Sequence, residues 1–168
     1  MFKEISYKDL SFTPFNKIGE EWMLITAGDA KKYNTMTASW GALGFIWQKP
    51  SATVYIRPQR YTKEFVDNAD LFTISFYGKE YKKALALCGA KSGRDIDKSK
   101  ETGLTPYFVD GTTAFEQASM IMLCKKAFHT PMPEAGFDMK GHTAEFYPDK
   151  DFHIMYIGEI LKVMVKAF

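Results

Sequence analysis

The sequence predicts a mainly β domain in which antiparallel strands form a barrel and short helices pack around it. Three observations lead to this fold class. Several short segments alternate apolar and polar residues, or are apolar throughout, as half-buried and buried strands do. Gly, Pro and Asp residues separate these segments. Regular long helical segments do not alternate with them, which argues against a parallel sheet covered by helices on both faces.

Six segments carry the strand signal: residues 22–28, 35–40, 51–57, 71–77, 119–128 and 152–166. The segment 51–57 alternates regularly, with Thr53, Tyr55 and Arg57 on one face. Pro58 then ends it, because proline cannot donate the hydrogen bond that an interior strand needs. The last segment is unusually long, and we expect it to bend at Gly158.

Two helices are predicted between the strands. One begins after Tyr61, with Thr62 as its N-cap. The other covers Lys79–Gly93, where apolar residues recur at helical spacing and Gly89 is the expected C-cap.

Length and composition indicate a single domain that spans residues 1–168. Apolar residues make up 46% of the chain and aromatic residues 15%, which is enough for a packed interior and excludes a disordered chain.

Charge and hydropathy exclude several classes of function. The formal net charge is only +2, whereas a protein that neutralises many phosphates carries a stronger basic excess. Nucleic-acid binding is therefore not favoured, although a local basic pocket is compatible with this charge. No apolar run approaches the roughly 18–20 residues of a membrane span, and the first ten residues lack the apolar core of a secretory signal. We expect a cytoplasmic protein without a membrane partner.

The cysteines and histidines do not predict a metal site. Cys88 and Cys124 are the only cysteines, and with three scattered histidines they form no cluster of metal-ligand spacing. We interpret both as reduced core thiols. A reactive thiolate at Cys88, close to the end of a predicted helix, is the alternative.

The stretch Arg57–Thr62, RPQRYT, predicts a phosphate site. Two guanidinium groups three residues apart can reach one anion when the chain bends between them, and Pro58 supplies the bend. If a helix begins here, its free N–H groups point at the same place. The alternative is that both arginines are solvated or pair with acids such as Glu64 or Asp67.

A second stretch, Asn34–Gly41, reads NTMTASWG. Its hydroxyl groups and backbone amides offer donors and acceptors to the edge of a heteroaromatic ring, and Ala38 and Gly41 let a flat ligand approach the backbone. Taken alone, this stretch favours an ordinary half-buried strand. Together, the two stretches suggest a mononucleotide-like cofactor, because the sequence contains neither a glycine-rich dinucleotide motif nor a P-loop.

The sequence also resembles a known protein family. NTMTASWG, W-x-K-P, VYIRPQRYT, FTISF, CGAKSGRDIDK and DFHIMYIGEI occur in this order and resemble the flavin reductase-like proteins, in particular the flavoredoxin-type branch. The resemblance covers residues 22–165. It implies a six-stranded antiparallel split barrel with short flanking helices that binds FMN and forms a homodimer.

The resemblance also assigns residues to the FMN site. It places one segment along the isoalloxazine ring: Met36, Thr37, Ala38, Ser39 and Trp40. It places a second group around the phosphate: Arg57, Pro58, Arg60, Tyr61 and Thr62. Ser92 and Lys98, in a loop that closes over the site, are expected as further phosphate contacts. Arg94 and Asp95 of the same loop pair with each other or shape it.

His153 lies in the matching D-x-H-x-x-Y-x-G stretch. The resemblance places its imidazole beside the flavin or the incoming substrate, and the alternative is a histidine hydrogen-bonded in the barrel wall. His129 and His142 have no such support and are expected in surface or loop positions.

The implied activity is hydride transfer from NAD(P)H to bound FMN, followed by electron transfer to a small acceptor. No catalytic acid or base and no metal is expected for this chemistry. The alternative is a flavoredoxin-like electron carrier that exchanges electrons with protein partners and does not oxidise NAD(P)H directly.

Overall fold

The computed structural model describes residues 1–139 and 141–167. These residues form ten strands, with the following bounds: β1 (Phe2–Ile5), β2 (Met23–Gly28), β3 (Tyr33–Ala38), β4 (Gly41–Ile46), β5 (Lys49–Ile56), β6 (Leu71–Phe76), β7 (Pro106–Val109), β8 (Thr112–Phe115), β9 (Met120–Pro131) and β10 (Ile154–Lys166). They also form four α-helices: α1 (Tyr61–Asn68), α2 (Lys82–Ala90), α3 (Lys98–Thr102) and α4 (His142–Phe146). A π-helical turn at Phe15–Glu20 precedes β2.

Eight of the strands form one antiparallel sheet in the order β3-β2-β6-β9-β10-β5-β4, with β1 added beside β10. The long strand β10 pairs with β9 along one edge. On its other edge it pairs with β5 through residues 154–159 and with β1 through residues 163–166. β10 therefore joins the two halves of the sheet.

The sheet curls around one hydrophobic core, to which β3 and β5 contribute from opposite ends of the strand order. Met36, Val54, Phe72 and Tyr156 are among its buried members. No pairing joins β3 to β4 in the described part of the chain, although only Ser39 and Trp40 separate these two strands in sequence. The barrel is consequently split between β3 and β4, and the outer edge of β3 keeps backbone groups free for other partners.

A second core lies on the outer face of the sheet. It contains Leu24 and Ile121 from the sheet, Leu85 from α2 and Phe115 from β8. β7 and β8 form a separate two-stranded sheet. This layer holds α2 against β3, and the loop after α2 reaches the open edge of that strand.

The predicted mainly β antiparallel fold and its six strands are confirmed, with ends shifted by three residues or fewer. The structure adds β1, β4, β7 and β8, so the main sheet has eight strands and not six. These extra strands are short, and β4, with the sequence GALGFI, carries two glycines and little polar alternation. Strands at a sheet edge gain their stability from neighbours that a sequence pattern does not show.

Two predicted caps are wrong. The N-cap of α1 is Arg60, and Thr62 lies inside the first turn, where its buried hydroxyl accepts a hydrogen bond from Asn34 Nδ2 at 2.8 Å. α2 continues past Gly89 to Ala90, and its C-cap is Lys91. A threonine whose hydroxyl is engaged by another strand is not available to cap its own helix.

The predicted bend at Gly158 is confirmed as a shift of register between Ile157 and Gly158 in the pairing of β10 with β9. The glycine is required by space, because a Cβ atom there would lie 2.7 Å from Phe72 Cζ and 2.9 Å from Cys124 Cβ. The core therefore closes directly over the bulge.

We expect Gly158→Ala to destabilise the protein by about 1–3 kcal/mol, since the added methyl group overpacks this contact. Urea denaturation measures the change. Gly44→Ala in β4 is the matched control, because a Cβ atom at Gly44 meets no atom within 4 Å. Equal stability of the two variants would contradict the packing described here.

Candidate functional site

Two cavities adjoin along the open edge of β3. The first, the basic cavity, has a volume of about 250 Å³ and lies where the β5–α1 turn meets the loop after α2. The second, the strand cavity, has a volume of about 220 Å³ and follows residues 36–40. Both are lined by Met36, Arg57 and Arg60. The two stretches that the sequence singled out therefore meet at one place.

The basic cavity is built around the turn that joins β5 to α1. The backbone N–H of Arg60 donates to the carbonyl of Arg57, which closes the turn over Pro58 and Gln59. The half-buried guanidinium of Arg60 donates to the carbonyl of Gly89 at 2.6 Å. Arg60 gives the first turn of α1 no side-chain cap, so the N–H groups of Tyr61 and Thr62 are not taken by a cap, whereas that of Lys63 donates to the Arg60 carbonyl at 3.0 Å.

Lys98 enters the basic cavity from the other side. Its side chain is 6% exposed, and its ammonium donates to the carbonyls of Thr35 and Cys88, at 2.7 Å each. Burial lowers the pKa of Lys98 to about 8. This lysine is positioned by α3, whose N-cap Asp97 accepts from the backbone N–H of Lys100.

The loop that carries Ser92 is held close to β3. A Cβ atom at Gly93 would lie 1.9 Å from Asn34 Oδ1, so only glycine fits there. Ser92 lines the basic cavity, and its hydroxyl accepts from the backbone N–H of Arg94 at 3.1 Å. Tyr61 and Thr62 line the same cavity.

The basic cavity fits an anion. Among the described residues, neither Arg60 nor Lys98 forms an ion pair with a carboxylate. Among the described residues, their hydrogen-bond partners are backbone carbonyls, which carry no net charge. Partly desolvated cations without a counter-charge are unfavourable, and a phosphate group between them would supply that charge.

Arg57 has other partners. Its guanidinium donates to Asp151 Oδ2 at 2.5 Å and to the carbonyl of Phe146 at 2.7 Å. The alternative that the arginines pair with acids therefore holds for Arg57, but with Asp151 as its partner. The two acids named as examples have other partners, since Glu64 pairs with Arg94 and Asp67 with Lys63. Arg57 therefore connects β5 to the segment that contains α4.

Arg94 and Asp95 do not form an ion pair with each other. Arg94 pairs with Glu64, and its guanidinium lies 4.5 Å from the centre of the Tyr61 ring. Arg94 therefore contacts Tyr61, which lines the basic cavity.

The strand cavity is lined by the predicted ring-binding segment. Met36 and Ala38 are buried, Thr37 and Ser39 are partly buried, and Trp40 is 41% exposed. Thr37 donates its hydroxyl to the carbonyl of Leu85 at 2.5 Å. The segment 36–40 forms one wall of the strand cavity, with the small side chain of Ala38 near its middle and Trp40 at its end.

His153 lines the strand cavity and is also hydrogen-bonded in the wall. Its Nδ1 lies 2.8 Å from the Tyr147 hydroxyl, and its ring centre lies 5.0 Å from that of Trp40. Burial, followed by the charge of Arg57, lowers the pKa of His153 to about 4. The imidazole is therefore neutral at pH 7. His129 stacks on Tyr156, and His142 lies on α4.

Cys88 is a packed thiol. It is fully buried in the second core, and burial raises its pKa to about 11. A reactive thiolate is not supported by this environment. Cys124 is also buried and free.

Sequence reasoning missed several lining residues and one whole cavity. Asn34, Gln59 and Tyr55 line the two cavities without having been predicted. Tyr55 could have been found, because it shares the strand face of Arg57. A third cavity, the apolar chamber, adjoins the strand cavity at Ser39 and Trp40; it is formed by residues distant in sequence, so no local pattern predicts it.

The family profile described as "Flavin reductase like domain" matches residues 15–167. The chain belongs to this family. The resemblance on which the sequence interpretation relied is thereby confirmed. None of the curated protein sequences compared with the chain matches it significantly.

Solved structures of other flavin reductase-like proteins share the fold. An FMN-binding domain of flavin reductase-like enzymes from Shewanella baltica aligns with a TM-score of 0.70 at 16% identity, over 98% of this chain and 77% of that one. Flavoredoxin of Desulfovibrio vulgaris aligns with a TM-score of 0.67 at 24% identity, over 86% and 69%. An NADH:FAD oxidoreductase of Streptomyces globisporus, in complex with NAD and FAD fragments, aligns with a TM-score of 0.63 at 14% identity, over 87% and 74%.

Membrane-spanning helices and metal-binding clusters are both absent from the described residues of this flavin reductase-like chain. Within 1–139 and 141–167, no helix has the length and apolar character of a membrane span. The same residues contain no group of three or more His, Cys, Asp or Glu side chains that could hold a metal ion.

The low pKa of Lys98 predicts a pH dependence of anion binding. Lys98 binds an anion in its charged form, and binding raises its pKa above the value of about 8 in the free protein. Affinity is therefore highest below that pH and falls as the pH rises through it, by up to about tenfold per pH unit until the pKa of the complex is reached. Titration with riboflavin phosphate between about pH 7 and pH 9.5, where its phosphate is dianionic, measures this decrease.

Lys98→Met is the control for this pH dependence. It removes the titrating group at similar side-chain length, so affinity is lower at pH 7 and this decrease is absent. A decrease of equal size in the variant would show that another group titrates.

Proposed function

We propose that the chain binds FMN and catalyses hydride transfer from NAD(P)H to it, with the electrons passing on to a small acceptor. The observation that carries the FMN assignment is the basic cavity, where Arg60 and Lys98 meet without a carboxylate at the open edge of β3. Family membership supports flavin chemistry on this fold.

The phosphate of FMN would be held by the basic cavity. Lys98 and Arg60 provide the charge, and the N–H groups of the first turn of α1 provide backbone donors. Thr62 contributes a hydroxyl, which accepts from Asn34 and keeps its own hydrogen for a further acceptor. Ser92 lies at the rim. Arg57 also lines the cavity, but its charge is paired with Asp151 and two of its five N–H donors are engaged by the α4 segment, so it would contribute less to the phosphate than Arg60.

The small volume of the basic cavity, about 250 Å³, supports FMN, which carries one phosphate group, rather than FAD. Arg94 lies beside this cavity, where it donates to the Gln59 carbonyl, pairs with Glu64 and places its guanidinium over the Tyr61 ring.

The isoalloxazine ring would lie in the strand cavity along residues 36–40. The free backbone groups of β3 can pair with the polar edge of the ring, and the small side chain of Ala38 allows close approach. When bound, FMN accepts a hydride and passes its electrons on one or two at a time. His153 lines the same cavity and is neutral, so it would not oppose the positive charge that the nicotinamide ring acquires when it gives up its hydride.

A flavoredoxin-like electron carrier is the second candidate. The structural likeness to flavoredoxins, including that of Desulfovibrio vulgaris, favours it. In this case the protein would exchange electrons with protein partners, and reduced nicotinamides would react slowly or not at all.

We also propose a homodimer and a cytoplasmic location. Phe45, Trp47 and Phe128 form a group of exposed aromatic side chains, with Trp47 and Phe128 in contact at 6.4 Å between ring centres. A second copy would cover such a surface. The two free, buried thiols support a reducing compartment.

Arg60→Ala is expected to weaken FMN binding by about 1.5–3 kcal/mol, which is roughly a tenfold to hundredfold rise in Kd, because a charge-assisted hydrogen bond to the phosphate is lost. Quenching of flavin fluorescence measures the affinity. Lys63→Ala is the control, since Lys63 pairs with Asp67 on α1 and does not line the basic cavity. If both variants lost the same affinity, net charge and not contact would explain the effect.

Rapid mixing of the FMN-loaded protein with NADH or NADPH separates the two candidate functions. Bleaching of the flavin absorbance within the turnover time of an enzyme is expected for a reductase. Absence of bleaching with both donors would favour the electron carrier. Purified protein that is colourless and cannot be reconstituted with FMN would exclude both.

A further inference from the structure

The apolar chamber is the largest of the three cavities at the split of the barrel. Its volume of about 600 Å³ is typical of a small-molecule site. The wall includes Phe15 from the π-helical turn, Leu43 from β4, Met132 after β9, and Phe137 and Phe146 from the segment that contains α4. Segments distant in sequence thus converge on one concave, largely aromatic surface.

The lining of the chamber contains no Asp, Glu, Lys or Arg among the described residues. Its polar groups are the hydroxyls of Ser39, Tyr55 and Tyr147, the indole N–H of Trp40 and the imidazole of His142. A dinucleotide donor carries phosphate groups, which require cations or many N–H donors. Because transfer of a charged group into such a wall is costly, the chamber is suited to an uncharged ligand.

The chamber opens directly on the strand cavity. Ser39, Trp40 and Tyr55 line both spaces. The Trp40 ring stands edge-on to Phe146, with 5.6 Å between their ring centres. A molecule in the chamber is therefore next to the segment to which the proposed function assigns the flavin ring.

The wall formed by the α4 segment is held in place by polar contacts. Arg57 donates to the carbonyl of Phe146 and pairs with Asp151, and Tyr147 is hydrogen-bonded to His153. Gln59 adds a further hydrogen bond to Asp151. These bonds join the segment to β5 and to the start of β10, so the chamber is formed before any ligand binds.

We propose that the apolar chamber binds the electron acceptor, and that this acceptor is an uncharged aromatic molecule of one or two rings, such as a quinone. This inference rests on the proposed function, which supplies the reductant. For a quinone the reaction balances with NAD(P)H and one proton from solvent: the quinone gains two electrons and two protons and becomes a hydroquinone, and NAD(P)⁺ is released.

Calorimetric titration with two matched probes tests the ligand class. 4-Nitrobenzyl alcohol and 4-nitrobenzoate have nearly the same size, and only the second is charged. We expect the alcohol to bind the FMN-loaded protein and the carboxylate to bind at least about tenfold more weakly. Equal binding of both, or binding of the carboxylate alone, would overturn the proposal.

Two kinds of variant place the probe in the chamber. Phe146→Ala removes part of the wall and should raise the Kd of the alcohol about tenfold. Phe108→Ala, at a comparably exposed phenylalanine on β7, should leave it unchanged. Ala42 is exposed on β4 and lines the chamber, so Ala42→Lys should strengthen carboxylate binding and Ala42→Asp should weaken it further. Equal effects at positions 146 and 108, or no effect of charge at position 42, would place the probe elsewhere.

Three parallel measurements distinguish the ways in which the proposal can fail. If FMN binds but 4-nitrobenzyl alcohol does not, the chamber is not the acceptor site and the proposed function is unaffected. If FMN does not bind, the proposed function itself is wrong. If size-exclusion chromatography shows that Ala42→Asp converts a dimer to a monomer and no probe binds, the chamber is covered by a second copy and the proposal is overturned.

Discussion

The whole site depends on two cations that the fold brings together without a carboxylate. Lys98 comes from the start of α3 and donates to the carbonyls of Thr35 in β3 and Cys88 in α2. Arg60 comes from the turn after β5 and donates to a carbonyl of α2. Burial lowers the pKa of both side chains, which measures the cost of keeping them charged there. Such an arrangement is stable when an anion completes it, and this requirement explains why a phosphate-bearing cofactor suits the fold.

The split in the barrel leaves an unpaired strand edge, that of β3, next to the anion site. A fully closed barrel would pair the outer edge of β3 with another strand, and no backbone group would be left for a heterocycle. Here β3 and β4 lie at opposite ends of the strand order and are joined by two residues, Ser39 and Trp40. The same split opens the space that the apolar chamber occupies. Charge at one end, a flat strand edge in the middle and an aromatic cavity at the other end therefore follow from one topological feature.

Arg57 lies at the predicted site, but its charge is paired with a carboxylate and not left for an anion. Both arginines of RPQRYT lie at the site, as the sequence predicts, but only Arg60 points its charge at the basic cavity without a carboxylate partner. Arg57 is neutralised by Asp151, ninety-four residues away in sequence. These contacts join the β5–α1 turn to the α4 segment. They thereby connect the proposed FMN site to the chamber wall.

Local sequence patterns were enough to predict the fold class, the six principal strands, the bend at Gly158 and the two stretches that border the cavities. Each of these depends on local patterns: alternation, a proline after a strand, a glycine where the core admits no side chain. Tertiary structure alone decided the rest. The caps of α1 and α2, the edge strand β4, the partner of Arg57 and the apolar chamber are settled by contacts between segments far apart in the chain. Hydrogen bonds and burial at such contacts outweigh local propensity. No local pattern in the sequence predicts which distant segments will make these contacts.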